Sequence, residues 1–415
     1  MMVLKKLRFT LLSLIVISLF VPQMFHTTVS ANHLPILSEM EHNDSFETAN
    51  PILLDRTYTG TIEGYRSSES NSSSGVDYYT FTLPVDGNII VSIKNEAKKN
   101  GYIDILTTDH IFNTIYSNNF SMVTVEPSTD ANTIEVGLPA GTYYLKITGS
   151  STSVDSPYYF QTTFLQGSNF EKEPNDTLDE ATPIELNTAY SGVIEEFFDT
   201  WTTSGTSNDY YTFTLDRKTE ITAGISSKKN AAWYMELFNV KGDQLLKLYS
   251  DEHKDSVSST VISLDAGTYY VRMSGNRTIN DKPYRFVISN TGVKTLKTLN
   301  EIPIYIDGEY QLFSQSPFIK SGTTLVPMRA IFEKLEANVV WNSKDRVVTA
   351  KKDNIEIILA VDSTEATVNG KQVLLAQPAE VKNGSTMVPL RFVSEALGAD
   401  VIWFPDTTTI AIRSN

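Results

Sequence analysis

Residues 77–83 read Asp-Tyr-Tyr-Thr-Phe-Thr-Leu, and residues 209–215 repeat the same seven residues 132 positions later. Large apolar side chains alternate with threonine in both stretches, which is the period of a strand with one buried face. Other identities share this offset, among them Gly60 with Gly192. Since a chance match of this length is improbable, the chain contains two copies of one β-rich module.

The repeat extends well beyond these strands. Gly141-Thr142-Tyr143-Tyr144 recurs 126 positions later as Gly267-Thr268-Tyr269-Tyr270, so the second copy is six residues shorter in its middle. Units of this length with short strands and polar turns are typical of a β-sandwich or jelly roll. We expect the first module to span residues 32–167 and the second to span 168–292.

The last region, residues 293–415, carries a different duplication at an offset of 62. Val326-Pro327-Met328-Arg329 corresponds to Val388-Pro389-Leu390-Arg391. The two prolines suit the first position of a helix, and apolar spacing continues that helix in each half. Strands follow, so the fold class is predicted to be mainly β: two tandem β-sandwich or jelly-roll domains followed by a duplicated α+β domain.

Two features of this last region are interpreted as structural. Arg329 and Arg391 each precede a glutamate, Glu333 and Glu395, by four residues. We expect each arginine to form an ion pair with its glutamate on a helix surface rather than to bind a ligand. Trp341 and Trp403 lie in apolar strand patterns, which predicts core positions.

The first residues predict export. Lys5, Lys6 and Arg8 precede an apolar run of about a dozen residues, too short for a bilayer crossing of about 20 residues. Small residues at 29–31 suit a signal peptidase, so residues 1–31 are predicted to be a cleaved signal peptide. No later stretch is apolar enough to span a membrane. The expected location is therefore extracellular or at the cell surface.

Composition narrows the function classes. Removal of the three basic residues of the signal segment moves the formal charge from −15 to −18, which disfavours nucleic acid as a partner. The chain has no cysteine, so disulfides and thiolate metal sites are excluded. Export without cysteines is typical of a Gram-positive bacterium. An acidic exported chain suits cation binding, although acidity alone also serves solubility.

An acidic segment opens each module. Glu39-Met40-Glu41-His42-Asn43-Asp44 recurs as Glu171-Lys172-Glu173-Pro174-Asn175-Asp176. In an extended chain, every second side chain points the same way, so the two glutamates and the asparagine would share one side. Oxygen donors packed this closely favour a hard cation such as calcium. A solvated acidic turn is the alternative, and recurrence at the head of both modules favours the cation site.

The modules resemble the bacterial pre-peptidase C-terminal (PPC) domain, a jelly roll similar to the collagen-binding domain of clostridial collagenases. The resemblance is carried by the acidic segment, the Asp-Tyr-Tyr-x-Phe strand and the Ala-Gly-Thr-Tyr-Tyr hairpin. It implies one calcium ion per module, with these ligands: Glu39, Glu41, Asn43, Asp44 and Asp77, then Glu171, Glu173, Asn175, Asp176 and Asp209. Relatives often carry another aspartate where Ser74 and Thr206 stand, which implies weaker sites or sites completed by backbone and water.

The last region resembles the copper amine oxidase N-terminal-like, or stalk, domain. The repeated Val-Pro-[Met/Leu]-Arg and the Glu-x-Leu-x-Ala-x-Val-x-Trp runs carry this resemblance. No copper is expected, because no histidine follows His253 and copper oxidase sites need imidazole ligands. The resemblance implies a non-catalytic domain.

No catalytic motif is found, neither His-Glu-x-x-His nor Gly-x-Ser-x-Gly, so an enzyme is not expected. The leading hypothesis is a secreted calcium-binding protein for adhesion or substrate binding. It would present aromatic rows to a polymer or protein, collagen-like or from a cell wall. Those rows are expected from Tyr143, Tyr144, Tyr158, Tyr159 and their counterparts, about half of them buried. The alternatives are a structural cell-envelope protein docked through its C-terminal domain and an accessory or regulator of a secreted peptidase.

Overall fold

The computed structural model describes most of the chain after the predicted signal peptide. The described residues are 35–62, 75–95, 101–107, 114–120, 132–149, 156–194, 196–197, 205–206, 208–227, 232–250, 253, 256–275, 283–291, 299, 301–404 and 407–414. The predicted signal peptide lies outside this part. None of the helices in the described part is long and apolar enough to cross a membrane.

Strands dominate all three regions, which confirms the predicted mainly-β fold class. The first region contains β1 (Leu37–Ser38), β2 (Asn50–Pro51), β3 (Thr57–Ile62), β4 (Val76–Leu83), β5 (Gly87–Asn95), β6 (Gly101–Thr107), β7 (Thr114–Phe120), β8 (Asn132–Leu138), β9 (Gly141–Gly149) and β10 (Ser156–Gln166). The second contains β11 (Thr182–Pro183), β12 (Ala189–Val193), β13 (Glu196–Phe197), β14 (Gly205–Thr206), β15 (Asp209–Leu215), β16 (Thr219–Ser227), β17 (Trp233–Asn239), β18 (Gln244–Tyr249), β19 (Ser256–Leu264), β20 (Gly267–Gly275) and β21 (Pro283–Ser289).

The third region contains β22 (Ile304–Ile306), β23 (Glu309–Tyr310), β24 (Phe318–Lys320), β25 (Thr323–Pro327), α1 (Met328–Lys334), β26 (Asn338–Asn342), β27 (Val347–Lys352), β28 (Ile355–Ala360), β29 (Glu365–Val368), β30 (Lys371–Leu374), β31 (Glu380–Lys382), β32 (Ser385–Pro389), α2 (Leu390–Ala396), β33 (Asp400–Phe404) and β34 (Thr409–Arg413). Short 3-10 turns lie at Phe46–Thr48 and Leu178–Glu180.

The first two regions have the same topology. One sheet has the order β2-β4-β9-β6-β7 in the first copy and β11-β15-β20-β17-β18 in the second. The facing sheets pair β3-β10-β5-β8 and β12-β21-β16-β19. The fold is therefore sandwich-like in both copies, as the repeat predicts.

The repeated Asp-Tyr-Tyr-Thr-Phe-Thr-Leu stretch forms β4 and β15, central strands of these sheets. Tyr79, Phe81 and Leu83 point inward and are at most 2% exposed, while the alternate residues face outward. Each buried side chain of this size stabilises the fold by about 1.5–3 kcal/mol. The two-residue period of the sequence thus fixes which face of the strand enters the core.

The third region has a pseudo-twofold arrangement. β25 pairs with β32 so that Val326 lies opposite its repeat counterpart Val388. The two helices begin at Met328 and Leu390, one residue after the prolines that we expected at the first helical position. Pro327 instead ends β25 and caps α1.

The third region also packs on the first sandwich. A single parallel bridge from Gln166 to Glu309 joins their sheets. A shared apolar cluster lies beneath it and contains Ile90, Leu165, Phe170, Tyr305, Phe404 and Ala411. Arg413 is buried and donates to the carbonyl of Thr162 at 2.8 Å. This bond joins the last strand of the third region to the first sandwich.

Candidate metal centres

Each acidic segment begins at the edge of its sandwich, beside β3 in the first copy and beside β12 in the second. In the first copy, β1 pairs in parallel with β3, and the Glu39 N–H donates to the Thr59 carbonyl at 3.0 Å. In the second copy, the Glu171 N–H donates to the Ser191 carbonyl at 2.9 Å. The backbone therefore fixes the direction of the first glutamate in both copies.

A second backbone contact brings the segment to the strand aspartate. The Tyr78 N–H donates to the Asn43 carbonyl at 2.8 Å, and the Tyr210 N–H donates to the Asn175 carbonyl at 2.9 Å. Because each tyrosine follows the aspartate directly, these bonds hold Asp77 and Asp209 next to the segment.

The first carboxylate cluster consists of Glu39, Glu41 and Asp77, whose ligand oxygens lie within 4.8 Å of one another. Glu41 is exposed, Glu39 is half-buried and Asp77 is buried. The Tyr79 hydroxyl donates to Glu39 at 2.6 Å, and the Tyr158 hydroxyl donates to Asp77 at 2.6 Å. This cluster is open to solvent on one side.

The second carboxylate cluster consists of Glu171, Glu173 and Asp209, with ligand oxygens again within 4.8 Å. All three side chains are at most 5% exposed. The Val193 N–H donates to Glu171 at 2.9 Å, and the Tyr284 hydroxyl donates to Asp209. Within the described residues, no lysine, arginine or histidine forms an ion pair with this cluster.

Burial and mutual repulsion disfavour ionisation of these groups. Burial raises the pKa of Asp77 to about 8, and the carboxylates of Glu39 and Glu41 add to the rise. Burial likewise raises the pKa of Asp209 to about 8. The pKa values of Glu171 and Glu173 lie well above their usual range because both are buried beside Asp209. Such a cluster takes up protons or a cation.

Buried amide and carboxylate oxygens without partners add to each cluster. Asn43 and Asn175 are fully buried, and neither their side-chain oxygens nor their nitrogens have a hydrogen-bond partner among the described residues. The Oδ1 atom of the buried Asp209 also lacks a partner there. A buried acceptor left unpaired costs about 1–3 kcal/mol, which a bound cation would offset.

The dimensions of the clusters fit calcium. Oxygens on opposite sides of a calcium ion lie about 5 Å apart, given metal–oxygen distances of about 2.3–2.6 Å. The carboxylate oxygens of each cluster fall within that span. The donors are all oxygens, which favours calcium or magnesium over zinc or copper.

Some predicted ligands lie apart from the clusters. Asp44 and Asp176 are exposed and do not belong to the groups of three carboxylates. Their charges nevertheless help to raise the pKa of Asp77 in the first copy and of Glu173 and Asp209 in the second. Ser74 lies outside the described residues, as does the side chain of Thr206.

Two kinds of residue in the sites are missing from the predicted set. The hydroxyls of Tyr79 and Tyr158 lie 2.5 Å apart and hold the first cluster, and Tyr211 with Tyr284 repeats this pair at 2.5 Å. A side chain at Gly192 would overlap Glu171. All these positions recur between the copies, so the repeat carried the signal, although the sequence alone places Tyr158 in an aromatic row and gives Gly192 no role.

Half of the tyrosines in the predicted rows are buried, as expected. Tyr143 and Tyr158 are buried, whereas Tyr144 and Tyr159 are half-buried. The outer faces of the sheets that contain β4 and β15 carry these tyrosines, each at least partly exposed: Tyr78, Tyr102 and Tyr144 in the first copy, and Tyr210, Tyr234, Tyr249 and Tyr270 in the second. Tyr249 is 69% exposed.

In the third region, one structural interpretation agrees with the structure and one was wrong. Arg329 lies 3.9 Å from Glu333 as the expected surface pair, and the side chain of Glu395 lies outside the described part. Trp341 and Trp403 are each 37% exposed and do not belong to the core. Both stand on strands at the ends of their sheets, where one side has no further strand to cover them.

Comparisons with known proteins match parts of the chain. Residues 305–412 match the family model of the copper amine oxidase N-terminal domain. A protease inhibitor from Brevibacillus choshinensis is 27% identical over 124 residues, which are 29% of this chain and 37% of the inhibitor. The chain thus matches little more than a third of that relative.

Solved structures are similar at low identity. The pre-peptidase C-terminal domain of a Bacillus anthracis collagenase is 20% identical, covering 32% of this chain and 100% of that domain, with a TM-score of 0.21. A Paenibacillus cycloisomaltooligosaccharide glucanotransferase is 12% identical, covering 52% of this chain and 44% of the enzyme, with a TM-score of 0.18.

Proposed function

We propose that the protein is an exported, non-catalytic binding protein that holds one calcium ion in each sandwich. The matched amine oxidase N-terminal domain and the protease-inhibitor relative fit a non-catalytic binding role. The observation that carries the calcium proposal is the second cluster, where three buried carboxylates converge without a basic partner in the described residues. The proposed export rests on residues 1–31.

The calcium proposal is tested by calorimetric titration up to millimolar calcium, since extracellular modules often bind at about 10⁻⁴–10⁻³ M. We expect two sites per chain. Glu39→Gln with Glu41→Gln removes one site, and Glu171→Gln with Glu173→Gln removes the other. Asp216→Asn, on an exposed turn outside both clusters, is the control. A wild-type protein without saturable binding would refute the proposal.

The binding faces are proposed to be the outer surfaces of the sheets that contain β4 and β15. On the second copy, Tyr234 lies opposite Tyr249, and the Lys247 ammonium lies 4.9 Å from the Tyr234 ring centre. Equivalent Tyr102 of the first copy is 47% exposed. Partly exposed aromatic rings interspersed with charged groups suit an extended extracellular polymer or protein.

A capture experiment separates the candidate polymers. The protein is incubated with immobilised collagen or with purified cell wall, with and without Tyr102→Ala and Tyr234→Ala. We expect retention on one of the two and loss of retention in the double variant. Phe313→Ala, in the third region, is the control for an aromatic residue away from these faces. Equal retention of wild type and double variant would exclude these faces.

A second candidate function is regulation of a secreted peptidase. It is favoured by the 27% identity to the Brevibacillus choshinensis protease inhibitor. Secreted peptidases from culture medium would be assayed with increasing protein. Concentration-dependent loss of peptidase activity supports this function, and unchanged activity rejects it.

A further inference from the structure

A cavity in the third region lies apart from both carboxylate clusters and from the tyrosine faces of the sandwiches. Its volume is about 470 Å³, within the range of about 300–1,000 Å³ that small-molecule sites occupy. Both halves of the duplication line it, because α1 and β26 belong to the first half and β31 and β32 belong to the second. We call this cavity the third-region groove.

Part of the lining of the groove is apolar. Trp341 on β26 is 37% exposed, and Val348 lies opposite it on β27. Val339 precedes Trp341 by two residues, so the strand period places both side chains on the same face. Val381 of β31, which is 49% exposed, adds a further apolar side chain. An indole ring is thus partly uncovered beside aliphatic side chains, where a ligand with an apolar face displaces water.

The polar part of the lining is balanced in charge. Arg329 and Glu333 lie one turn apart on α1, and the Arg329 Nε lies 3.9 Å from the Glu333 carboxylate. This distance is too long for a hydrogen bond, so the guanidinium keeps its donors and the carboxylate keeps its acceptors for a ligand. Three hydroxyls also line the groove without a hydrogen bond to another described residue, those of Ser314, Ser385 and Thr386.

The second half of the duplication provides a comparison within the same chain. Trp403 is the counterpart of Trp341 and is equally exposed at 37%. Ala330, which lines the groove, corresponds to the half-buried Phe392, which packs against the core of the region. The phenylalanine occupies more of the helix surface than the alanine does. We therefore expect the two halves to differ in binding, although both carry the exposed tryptophan.

We propose that the third-region groove binds a neutral saccharide, as a segment of a pyranose polymer. A pyranose ring has a face of C–H groups, which packs on an indole ring, and hydroxyls, which both donate and accept hydrogen bonds. Trp341 offers the ring, Arg329 the donors and Glu333 the acceptors. A charged ligand would place a like charge beside one member of this pair, and an apolar ligand would leave the hydroxyls of the lining unpaired. This inference goes beyond the proposed function, because it needs neither calcium nor the tyrosine faces.

Calorimetric titration of the full protein with soluble oligosaccharides tests this proposal. The probes are the neutral hexamers of N-acetylglucosamine and of glucose, chitohexaose and cellohexaose, and the anionic hexagalacturonate. We expect saturable binding of at least one neutral hexamer at one site per chain, and binding of hexagalacturonate that is at least about tenfold weaker. If neither neutral hexamer binds saturably at millimolar concentration, or if hexagalacturonate binds equally well, the proposal is overturned.

Matched variants test whether the saccharide binds in the groove. Trp341→Ala removes the indole and should weaken binding by at least about tenfold. Trp403→Ala, the same change at the equally exposed counterpart, is the control and should leave the affinity unchanged. Ala330→Phe introduces the residue that the second half carries, so it should fold normally but obstruct the groove and weaken binding by at least about tenfold. Equal losses in the two tryptophan variants, or full affinity in Ala330→Phe, would overturn the assignment.

Variants that remove a charge test the polar contacts. Arg329→Gln and Glu333→Gln should each weaken binding by about threefold to tenfold, because each removes a charge-assisted hydrogen bond to a sugar hydroxyl. Lys344→Gln, which removes a positive charge from an exposed turn outside the groove, is the control and should leave the affinity unchanged. Unchanged affinity in both groove variants would show that apolar contact alone holds the ligand, which would contradict a saccharide.

Discussion

The two carboxylate clusters have the same kinds of carboxylate and the same tyrosine pair, but they have different surroundings. Glu41 is exposed in the first copy, whereas its counterpart Glu173 is 5% exposed. The difference comes from the neighbour along the chain, because β8 of the first sandwich covers only the second cluster. One motif therefore produces an open site and a closed site, and the closed site has the larger electrostatic cost when empty.

The largest loss of calcium affinity is expected when one carboxylate of each cluster is removed. Glu173→Gln should weaken the second site about 100-fold, because its charge acts in a buried environment of low dielectric. Glu41→Gln should weaken the first site about 10-fold, since water screens an exposed carboxylate. Calorimetric titration of both variants measures the ratio of these two losses in calcium affinity. Equal losses would show that the difference in burial has no energetic consequence.

The next-largest effect is a loss of stability when the glycine next to Glu39 or to Glu171 is replaced. A Cβ at Gly192 would overlap Glu171, and a Cβ at Gly60 would lie 2.6 Å from the Tyr158 ring. We expect Gly192→Ala and Gly60→Ala each to lower the free energy of unfolding by about 1–3 kcal/mol, with the larger loss in the closed second copy. Denaturant unfolding measures it.

Gly141→Ala is the control for these glycine variants. A Cβ at Gly141 would have its nearest neighbour at 3.4 Å, so the change should be much smaller. A loss in Gly141→Ala as large as in Gly192→Ala would contradict the proposed role of the glycines.

A moderate change in melting temperature is expected when the pH is varied in calcium-free buffer. Burial raises the pKa of Asp77 and of Asp209 to about 8 in the folded protein, whereas an aspartate of the unfolded chain has its ordinary pKa of 3.8. Between these two pH values the folded protein therefore holds protons that the unfolded chain has released. The contribution of these two groups to stability is therefore greatest below about pH 4 and falls as the pH rises toward about 8. We expect the melting temperature to drop by roughly 5 °C between about pH 5 and pH 8.

Saturating calcium is the control for the pH experiment, because the ion replaces the protons. With calcium present, the melting temperature should depend far less on pH across the same range. The same slope with and without calcium would mean that the clusters do not govern this titration.

The smallest effect is expected from the aspartates that follow the asparagines. Asp44 and Asp176 are exposed and lie outside the clusters, so Asp44→Asn and Asp176→Asn should change calcium affinity by less than about threefold. Calcium titration of these variants, alongside Glu41→Gln and Glu173→Gln, shows which carboxylates bind the ion. A loss as large as that of Glu173→Gln would show that these aspartates bind the ion directly.

The sequence predicted the fold class and much of each cluster, because both depend on local periodicity. Alternation along residues 77–83 gave the buried face of β4, and the same two-residue period placed Glu39 and Glu41 together. The prediction for Asp44 did not follow this period, and the structure leaves its side chain exposed.

The junction between the sandwiches was not predictable. Gly137 and Glu171 are separated by 34 residues, and nothing in either local pattern indicates their contact. The exposure of Trp341 and Trp403 was missed for a related reason. Strand periodicity tells which residues share a face, but only the sheet order shows that their strands are at an edge without cover.

The most direct measurement is a crystal structure of the protein grown in calcium, with anomalous diffraction data that locate the ions. We expect two anomalous peaks per chain, each about 2.3–2.6 Å from carboxylate oxygens. One peak lies among Glu39, Glu41 and Asp77, and the other among Glu171, Glu173 and Asp209. Carboxyl groups that hydrogen-bond to one another, without a peak between them, would contradict it.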